Sequence, residues 1–303
     1  MMQPSAPMVP KYLLLCRRVV LSFLRNSQHQ LTTMSNLLLR LRYSNDPEAD
    51  TFYEWEGSVF VFIPGEQPKK IFHCVGMNVG KAHIADNKLL ATTRELTYYL
   101  DPKTHEKLTH WENPWTGERV PVVHIANDPV QMALPTFIPL DVRKNPFSGT
   151  TKLMTEIPLF YKNPLADDPK FASYDSRQMY QAGELFTFTC PTAQVENEQG
   201  AIDHAEVHWT RVSHFAPFMK MGDKQGYLVY HCTGHKLPQG STYKELISPI
   251  LRSEIENRVT AYSHAPSSYD PNSKSVSSWT YFKDNFDRYQ NEPDAEWPPL
   301  CEE

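Results

Sequence analysis

The feature that most limits the fold is a series of short segments rich in aromatic and β-branched residues, separated by turn residues. It begins with FYEWEGSVFVFIP at residues 52–64 and continues to GYLVYHCTGHKL at residues 226–237. Few stretches of helical periodicity and helical length interrupt it. Strand and turn signals at this spacing predict an antiparallel sheet. Because closing such a meander removes its edges, we predict a mainly β fold, a closed antiparallel β-barrel with C-terminal helices.

The helices are predicted from two segments near the C-terminus. TYKELISPILRSEIENRVTAY, at residues 242–262, has apolar residues near helical spacing, although Pro249 should kink or divide it. SVSSWTYFKDNFDRY, at residues 275–289, is expected to form a short amphipathic helix that closes one end of the barrel. The Pro- and Asn-rich stretch from Pro135 to Ala182 is expected to be an irregular lid or binding loop.

The chain is predicted to contain two parts, a basic N-terminal extension (1–34) and one β-barrel domain (35–303). No Asp or Glu occurs before Asp46, and the apolar stretch YLLLCRRVVLSFL is interrupted by Arg17 and Arg18. It is therefore too short and too charged to span a bilayer. The open interpretations are an organelle-targeting peptide, a dispensable disordered extension, and a start assigned too early.

Composition narrows the class of protein. Of the 303 residues, 40% are hydrophobic, which predicts a folded globular protein. The net charge of -5 argues against a nucleic-acid partner, because neutralising phosphates requires surplus Lys and Arg. The five scattered cysteines form no CxxC pair, a pattern typical of reduced, buried thiols, and we expect a cytoplasmic protein.

The stretch HWENPWTGERVPVVHIAN contains two tight-turn signals and a β-branched run. Asn113-Pro114 and Thr116-Gly117 predict a hairpin, followed by a strand with His124 on one face that ends at Asn127-Asp128-Pro129. Two interpretations remain open. The segment is either hairpin architecture alone or a pocket wall at the barrel mouth, lined by Trp111, Trp115 and His124.

The segment HAEVHWTRVSH offers a different chemistry on each face of a strand. His204, Glu206, His208 and His214 would share one face, and such residues bind zinc or iron. The alternative is a polar, solvent-facing strand. On the other face Arg211 lies beside Trp209, either polarising a substrate carbonyl or pairing with a carboxylate such as Glu95 or Glu184.

Further along the chain, His231 is a candidate acid or base, since its unperturbed pKa lies near neutrality. Met219 is a candidate lining residue in FAPFMKMG. GxGxxG, GxxxxGK[ST] and GxSxG patterns are all absent from the sequence, so nucleotide binding and α/β-hydrolase chemistry have little support.

Several motifs occur in order across residues 94–282, namely RELTYYLDPKT, HWENPWTGE, VVHIANDPV, EIPLFYKNPL, FAPFMKMG and NSKSVSSWTYF. Together they resemble the domain-of-unknown-function family 1838, over about residues 37–290. The resemblance implies an association with fungal natural-product pathways. In those pathways some relatives act as pericyclases that join a quinone methide to a polyene by hetero-Diels–Alder addition.

A cycloaddition of this kind needs no cofactor, only a shaped aromatic pocket and donors that polarise a carbonyl. We therefore predict a cofactor-independent cyclase of secondary metabolism whose substrate is a hydrophobic small molecule. His124, Arg211 and His231 would donate hydrogen bonds. The substrate would be bound by Trp111, Trp115, Trp209, Met219 and Tyr281. The alternatives are a metal-dependent hydrolase or lyase built on His204 and His208, and a lipocalin-like carrier; a homo-oligomer is left open.

Overall fold

A computed structural model describes residues 36–136 and 140–300; the predicted extension over residues 1–34 lies outside them. Nine strands form the main sheet: β1 (Thr51–Phe62), β2 (Lys69–Ala85), β3 (Lys88–Leu100), β6 (Ile125–Pro135), β7 (Asp141–Asn145), β8 (Thr150–Lys162), β9 (Met179–Pro191), β10 (Glu206–Ser213) and β11 (Tyr227–Lys236). A separate two-stranded sheet pairs β4 (His110–Glu112) with β5 (Arg119–Pro121).

The main sheet is antiparallel throughout, in the order β6-β3-β2-β1-β11-β10-β9-β8-β7. This confirms a mainly β, antiparallel protein. Closure of the barrel is not seen, because β6 and β7 stand at opposite ends of the order and do not pair with each other in the described residues. The sheet is an open half-barrel.

Contacts across the sheet show how strongly it curves. Tyr99 on β3 and Tyr230 on β11 are three strand spacings apart, about 14 Å along a flat sheet. Their hydroxyl oxygens are nevertheless 2.7 Å apart. Parallel side chains on a flat face would not meet, so the face that carries these tyrosines is concave.

Two apolar clusters fill the ends of this concave face. The N-terminal cluster joins helix α1, described over residues 36–42, to strand residues including Tyr53, Phe188 and Val207. The C-terminal cluster joins the 215–221 connection to helices α4 (Ser278–Asp284) and α5 (Phe286–Asn291). The predicted helix at residues 275–289 thus closes one end of the interior, although it divides in two at Asn285.

Helix α3 (Pro249–Asn257) covers part of the convex face instead. The segment at residues 242–262 is divided at Pro249, one of the two outcomes expected there, and Pro249 occupies the first turn of α3, where its missing N–H costs no hydrogen bond. Ser248 caps this helix by accepting a hydrogen bond from the Leu251 amide, and Leu251 and Ile255 pack against Val75 and Met77.

The remaining helix, α2 (Thr192–Glu196), is a short segment after β9. No helix within residues 36–136 and 140–300 is both long and apolar enough to cross a membrane.

The stretch between Pro135 and Ala182 is only in part the irregular loop predicted from its composition. Residues 141–162 form the β7–β8 hairpin, and β8 pairs with β9 along its whole length, from Thr150 opposite Pro191 to Lys162 opposite Met179. Residues 163–178 are irregular apart from a 3₁₀ turn at Pro169–Phe171. The abundant Pro and Asn residues lie mainly in the turns. Asn145 and Asn163, for example, each accept a hydrogen bond from the amide two residues ahead.

The predicted hairpin around NPWTGE is confirmed. Strands β4 and β5 pair in register, and the Asn113 side chain accepts hydrogen bonds from the amides of Trp115 (2.8 Å) and Thr116 (3.2 Å). Gly117 supplies a positive φ of 73°. The strand predicted after it was wrong in its bounds, since residues 122–124 separate β5 from β6 and β6 continues through Asp128-Pro129 with a register shift against β3.

Candidate functional site

Between the two apolar clusters, the concave face carries a layer of large aromatic and charged side chains. We call this layer the interior site and define it by Trp55, Glu95, Glu184, Trp209 and Arg211. All five side chains are partly accessible. Trp55 packs against both clusters and therefore marks the level at which they meet.

Glycines make room for the Trp55 ring. Gly76 on β2 and Gly234 on β11 are its partners on the two neighbouring strands. A Cβ at Gly76 would lie 2.4 Å from Trp55 Nε1, and one at Gly234 would lie 2.8 Å from Trp55 Cβ. Real Cβ contacts are never so short, so the indole occupies space that any larger residue at these positions would fill.

Arg211 is held by two partners on β9. It forms an ion pair with Glu184, directly opposite on the neighbouring strand, and its Nη2 donates to the Tyr180 hydroxyl at 2.5 Å. Burial alone would lower the pKa of Arg211, but the nearby Tyr180 and Glu184 outweigh it and raise that pKa. The guanidinium therefore carries a fixed positive charge. The Arg211 side chain remains 21% exposed.

Two indole N–H groups in this layer lack partners. Trp55 Nε1 and Trp209 Nε1 are buried and donate to no acceptor among the described residues. Their rings meet edge to face, with centroids 5.8 Å apart, and Trp209 also lies 5.8 Å from the Tyr230 ring. A buried donor without an acceptor costs free energy, so both are suited to an oxygen atom of a ligand.

Glu95, on β3, belongs to the same concave face. Burial raises the pKa of Glu95, and the negative charge of Glu184 raises it further, while the Asn127 hydrogen bond, Arg211 and Arg42 oppose the shift. Glu184 is five strand spacings away in the sheet order, so the two carboxyl groups approach only because the sheet curves. The Glu95 side chain itself is partly accessible.

Among the predicted site residues, Trp209 and Arg211 lie in the interior site. Four other predicted residues belong to the C-terminal cluster, which also contains Phe72 and Phe218. They are Trp111, Trp115, Met219 and Tyr281. Met219 is fully buried. The indole N–H of Trp115 already has an acceptor, since Nε1 donates to the Glu66 carboxylate at 2.9 Å.

The two predicted histidines lie away from the interior site. His124 is buried beside Tyr98 and Tyr99, and its Nδ1 accepts from the Tyr99 amide at 3.1 Å. Burial lowers the pKa of His124 to about 3, and the charge of Lys107 acts in the same direction, so the ring is neutral at physiological pH. His231 is exposed on the convex face, opposite Ser58 and Thr210.

The histidines considered for metal binding are also spread apart. His208 is exposed on the convex face of β10, His204 precedes that strand, and His214 follows it. In residues 36–136 and 140–300, His, Cys, Asp and Glu side chains form no group of three or more that is arranged to hold a metal ion.

Trp55 and Glu95 were not predicted as site residues, and Glu95 and Glu184 were considered only as ion-pair partners of Arg211. Strand alternation places Glu95 on the same face as Thr97 and Tyr99, which is a signal for an inward-facing acid. Local sequence does not reveal that β3 and β9 face each other. That information lies in the curvature of the sheet.

Comparison with known proteins identifies a family without identifying an activity. The family described as "Protein of unknown function (DUF1838)" matches residues 48–286, which include all nine strands of the main sheet and helices α2 to α4. No curated protein matches this chain.

Proposed function

We propose that this chain, which belongs to the DUF1838 family, is a cofactor-independent cyclase that binds a hydrophobic, carbonyl-bearing small molecule in its interior site. The reaction class we propose is a hetero-Diels–Alder addition of the kind used in secondary-metabolite biosynthesis. The proposal rests on the interior site and on the residues that surround it.

The observation that carries the proposal is the pair of unpartnered indole N–H groups beside a fixed guanidinium. Trp55 and Trp209 present buried donors, and Arg211 supplies positive charge, within walls that include Phe186 and Ile157. Donors held in place before a ligand arrives stabilise negative charge on its oxygen without reorganising during the reaction. Aromatic walls favour flat, apolar ligands.

A cycloaddition requires only fixed donors and a shaped aromatic site of this kind. The carbonyl oxygen and the terminal carbon of a quinone methide bond to the two carbons of an alkene, so that one C–O and one C–C bond form and no atom is lost. Holding both reactants together lowers the entropic part of the barrier. Hydrogen bonds to the carbonyl oxygen withdraw electron density from the quinone methide and increase its reactivity toward an electron-rich alkene.

Photocrosslinking with benzophenone tests the binding site. Benzophenone is an aromatic ketone that inserts into nearby C–H bonds on irradiation, and mass spectrometry locates the labelled peptides. We expect labels near Trp55, Phe186 and Trp209. Trp209→Phe keeps a smaller aromatic ring and removes the N–H, and should weaken binding at least about threefold to tenfold, the value of one hydrogen bond. Labels confined to the convex face, for example around His208 and His231, would contradict the proposal.

The reaction itself is tested with an ortho-quinone methide generated in solution and a conjugated polyene. The uncatalysed addition gives a racemic product, so enantiomeric excess measures catalysis directly. Arg211→Lys should reduce the catalysed rate about tenfold or more, because an ammonium group does not reproduce the planar guanidinium fork held by Glu184 and Tyr180. A racemic product formed at the uncatalysed rate from reactants shown to bind would contradict a cyclase and favour a carrier.

A further inference from the structure

Glu95 is the one carboxyl group of the interior site without an ion-pair partner among the described residues. Its Oε2 accepts a hydrogen bond from Asn127 Nδ2 at 3.2 Å, across the β3–β6 ladder. Its Oε1 accepts none from the described part of the chain. The second acid of the site, Glu184, is already neutralised by Arg211. The two acids are therefore chemically distinct.

The charges that face Glu95 come from three other elements. Glu184 on β9 repels a carboxylate at this position, whereas Arg211 on β10 and Arg42, at the end of α1, attract one. Both arginines have other contacts. Arg211 is bound to Glu184 and Tyr180, and the Arg42 guanidinium lies 5.3 Å from the Phe186 ring centroid. Tyr43, which follows α1, is also within electrostatic range of Glu95.

We propose that Glu95 is a further catalytic residue of the interior site, a protonated carboxylic acid whose Oε1–H donates a hydrogen bond to the carbonyl oxygen of the bound small molecule. The inference rests on the proposed function, and it adds a third hydrogen-bond donor to the indole N–H groups of Trp55 and Trp209. The Asn127 side-chain amide fixes which carboxyl oxygen of Glu95 carries the proton. Asn127 Nδ2 donates to Oε2, so the proton is on Oε1. The proton stays on Glu95 throughout, so no net transfer is required.

The proposal predicts that ligand binding weakens as pH rises. A protonated Glu95 donates to a carbonyl oxygen, whereas an ionised Glu95 has only acceptor lone pairs and repels it. The raised pKa of Glu95, caused by burial and by Glu184, extends the protonated form toward neutral pH. Gln at this position carries an N–H donor at all pH values and therefore imitates the protonated acid.

The experiment measures benzophenone binding by equilibrium dialysis across the pH range, using the whole chain. Wild-type affinity should fall about tenfold as pH rises through the pKa of Glu95. Glu95→Gln should keep the affinity measured at low pH and lose the pH dependence. Glu206→Gln, on the exposed outer face of β10, is the matched control and should follow the wild-type curve.

Infrared spectroscopy provides a second readout that needs no ligand. The wild-type minus Glu95→Gln difference spectrum should contain the C=O stretch of a protonated carboxyl, which disappears on the same pH curve as binding.

Three outcomes would overturn the role of Glu95. They are an unchanged pH dependence in Glu95→Gln, a wild-type affinity that does not fall with pH, and the absence of the carboxylic band in the acid range. In each of these cases benzophenone still binds in the interior, and the proposed function stands without Glu95. Failure of benzophenone to bind at any pH would instead contradict the proposed function itself, and the role of Glu95 with it.

Discussion

At the scale of single residues, glycines decide how closely side chains approach beneath the interior site. Gly57 on β1 lies between Cys74 on β2 and Cys232 on β11, whose sulfur atoms are 3.6 Å apart. A Cβ at Gly57 would lie 2.2 Å from the His231 carbonyl oxygen and 2.7 Å from Cys232 Sγ. The two thiols thus fill the space left by the missing side chain.

We therefore expect Gly57→Ala to destabilise the protein by about 1–3 kcal/mol or more, as in other overpacked cores. Urea denaturation measures this change. Gly183→Ala on β9 is the control, since a Cβ there meets no atom within 4 Å, and it should be neutral or slightly stabilising. Equal effects of the two substitutions would show that the contacts around Gly57 are not what requires glycine.

A second residue-scale prediction concerns the cost of burying Glu95. Its pKa is higher in the folded state than in the unfolded state, through burial and the charge of Glu184. Its stabilising contribution is therefore complete below the unfolded pKa and is lost as pH rises through the folded pKa. Glu95→Gln avoids this loss, so the stability difference between variant and wild type should increase with pH in favour of the variant.

The difference should grow by about 1.4 kcal/mol for each pKa unit that separates the folded from the unfolded state. Denaturant unfolding at a series of pH values from below 4 to 8 measures it. A difference that stays constant over this range would mean that Glu95 has the same pKa in both states.

At the scale of elements, the β4–β5 hairpin depends on one asparagine. Asn113 accepts from two turn amides, and its Nδ2 donates to the Met219 carbonyl oxygen at 2.7 Å, which ties the hairpin to the C-terminal cluster. Asn113→Ala removes these three bonds and a fourth, from Nδ2 to Met221 Sδ at 3.4 Å, in a buried position, and should cost about 1–3 kcal/mol.

Asn145→Ala is the matched control for that substitution. Asn145 begins the exposed β7–β8 turn and accepts one bond, from the Phe147 amide at 3.0 Å. We expect a change within about 0.5 kcal/mol, typical of a surface position. Thermal unfolding of both variants measures the stability that each substitution removes. Similar losses of stability would mean that the hydrogen bond from Asn113 to Met219 contributes little.

Element-level prediction succeeded where the signal is local. NPWTGE forms its turn from its own Asn and Gly residues, so the hairpin followed from the sequence. Pro249 illustrates the limit, because the sequence left open whether this proline kinks one helix or divides the segment. The structure begins α3 at Pro249. The Ser248 side chain caps the helix there, and the amides of Ile247 and Ser248 donate to the Glu54 carboxylate at 2.5 and 2.6 Å.

At the scale of the whole molecule, the open sheet predicts uneven hydrogen exchange. Within residues 36–136 and 140–300, β7 pairs with β8 alone, whereas β1 lies between β2 and β11. The amides of β7 that point away from β8 should exchange orders of magnitude faster than those of β1. β6, at the other end of the order, is partly covered, because the Val276 amide donates to the Pro129 carbonyl oxygen. Protection of β7 equal to that of β1 would indicate a partner along its free edge and contradict the open sheet.

Local sequence patterns predicted most strand segments, the antiparallel class, the NPWTGE hairpin and the shared face of Trp209 and Arg211, because alternation and turn chemistry act over a few residues. The open sheet, the β7–β8 hairpin and the approach of Glu95 to Glu184 depend on tertiary contacts instead. The tertiary structure also decided that His124 is buried and His231 faces outward. Curvature and packing depend on contacts between residues far apart in the chain, and local patterns carry no information about them.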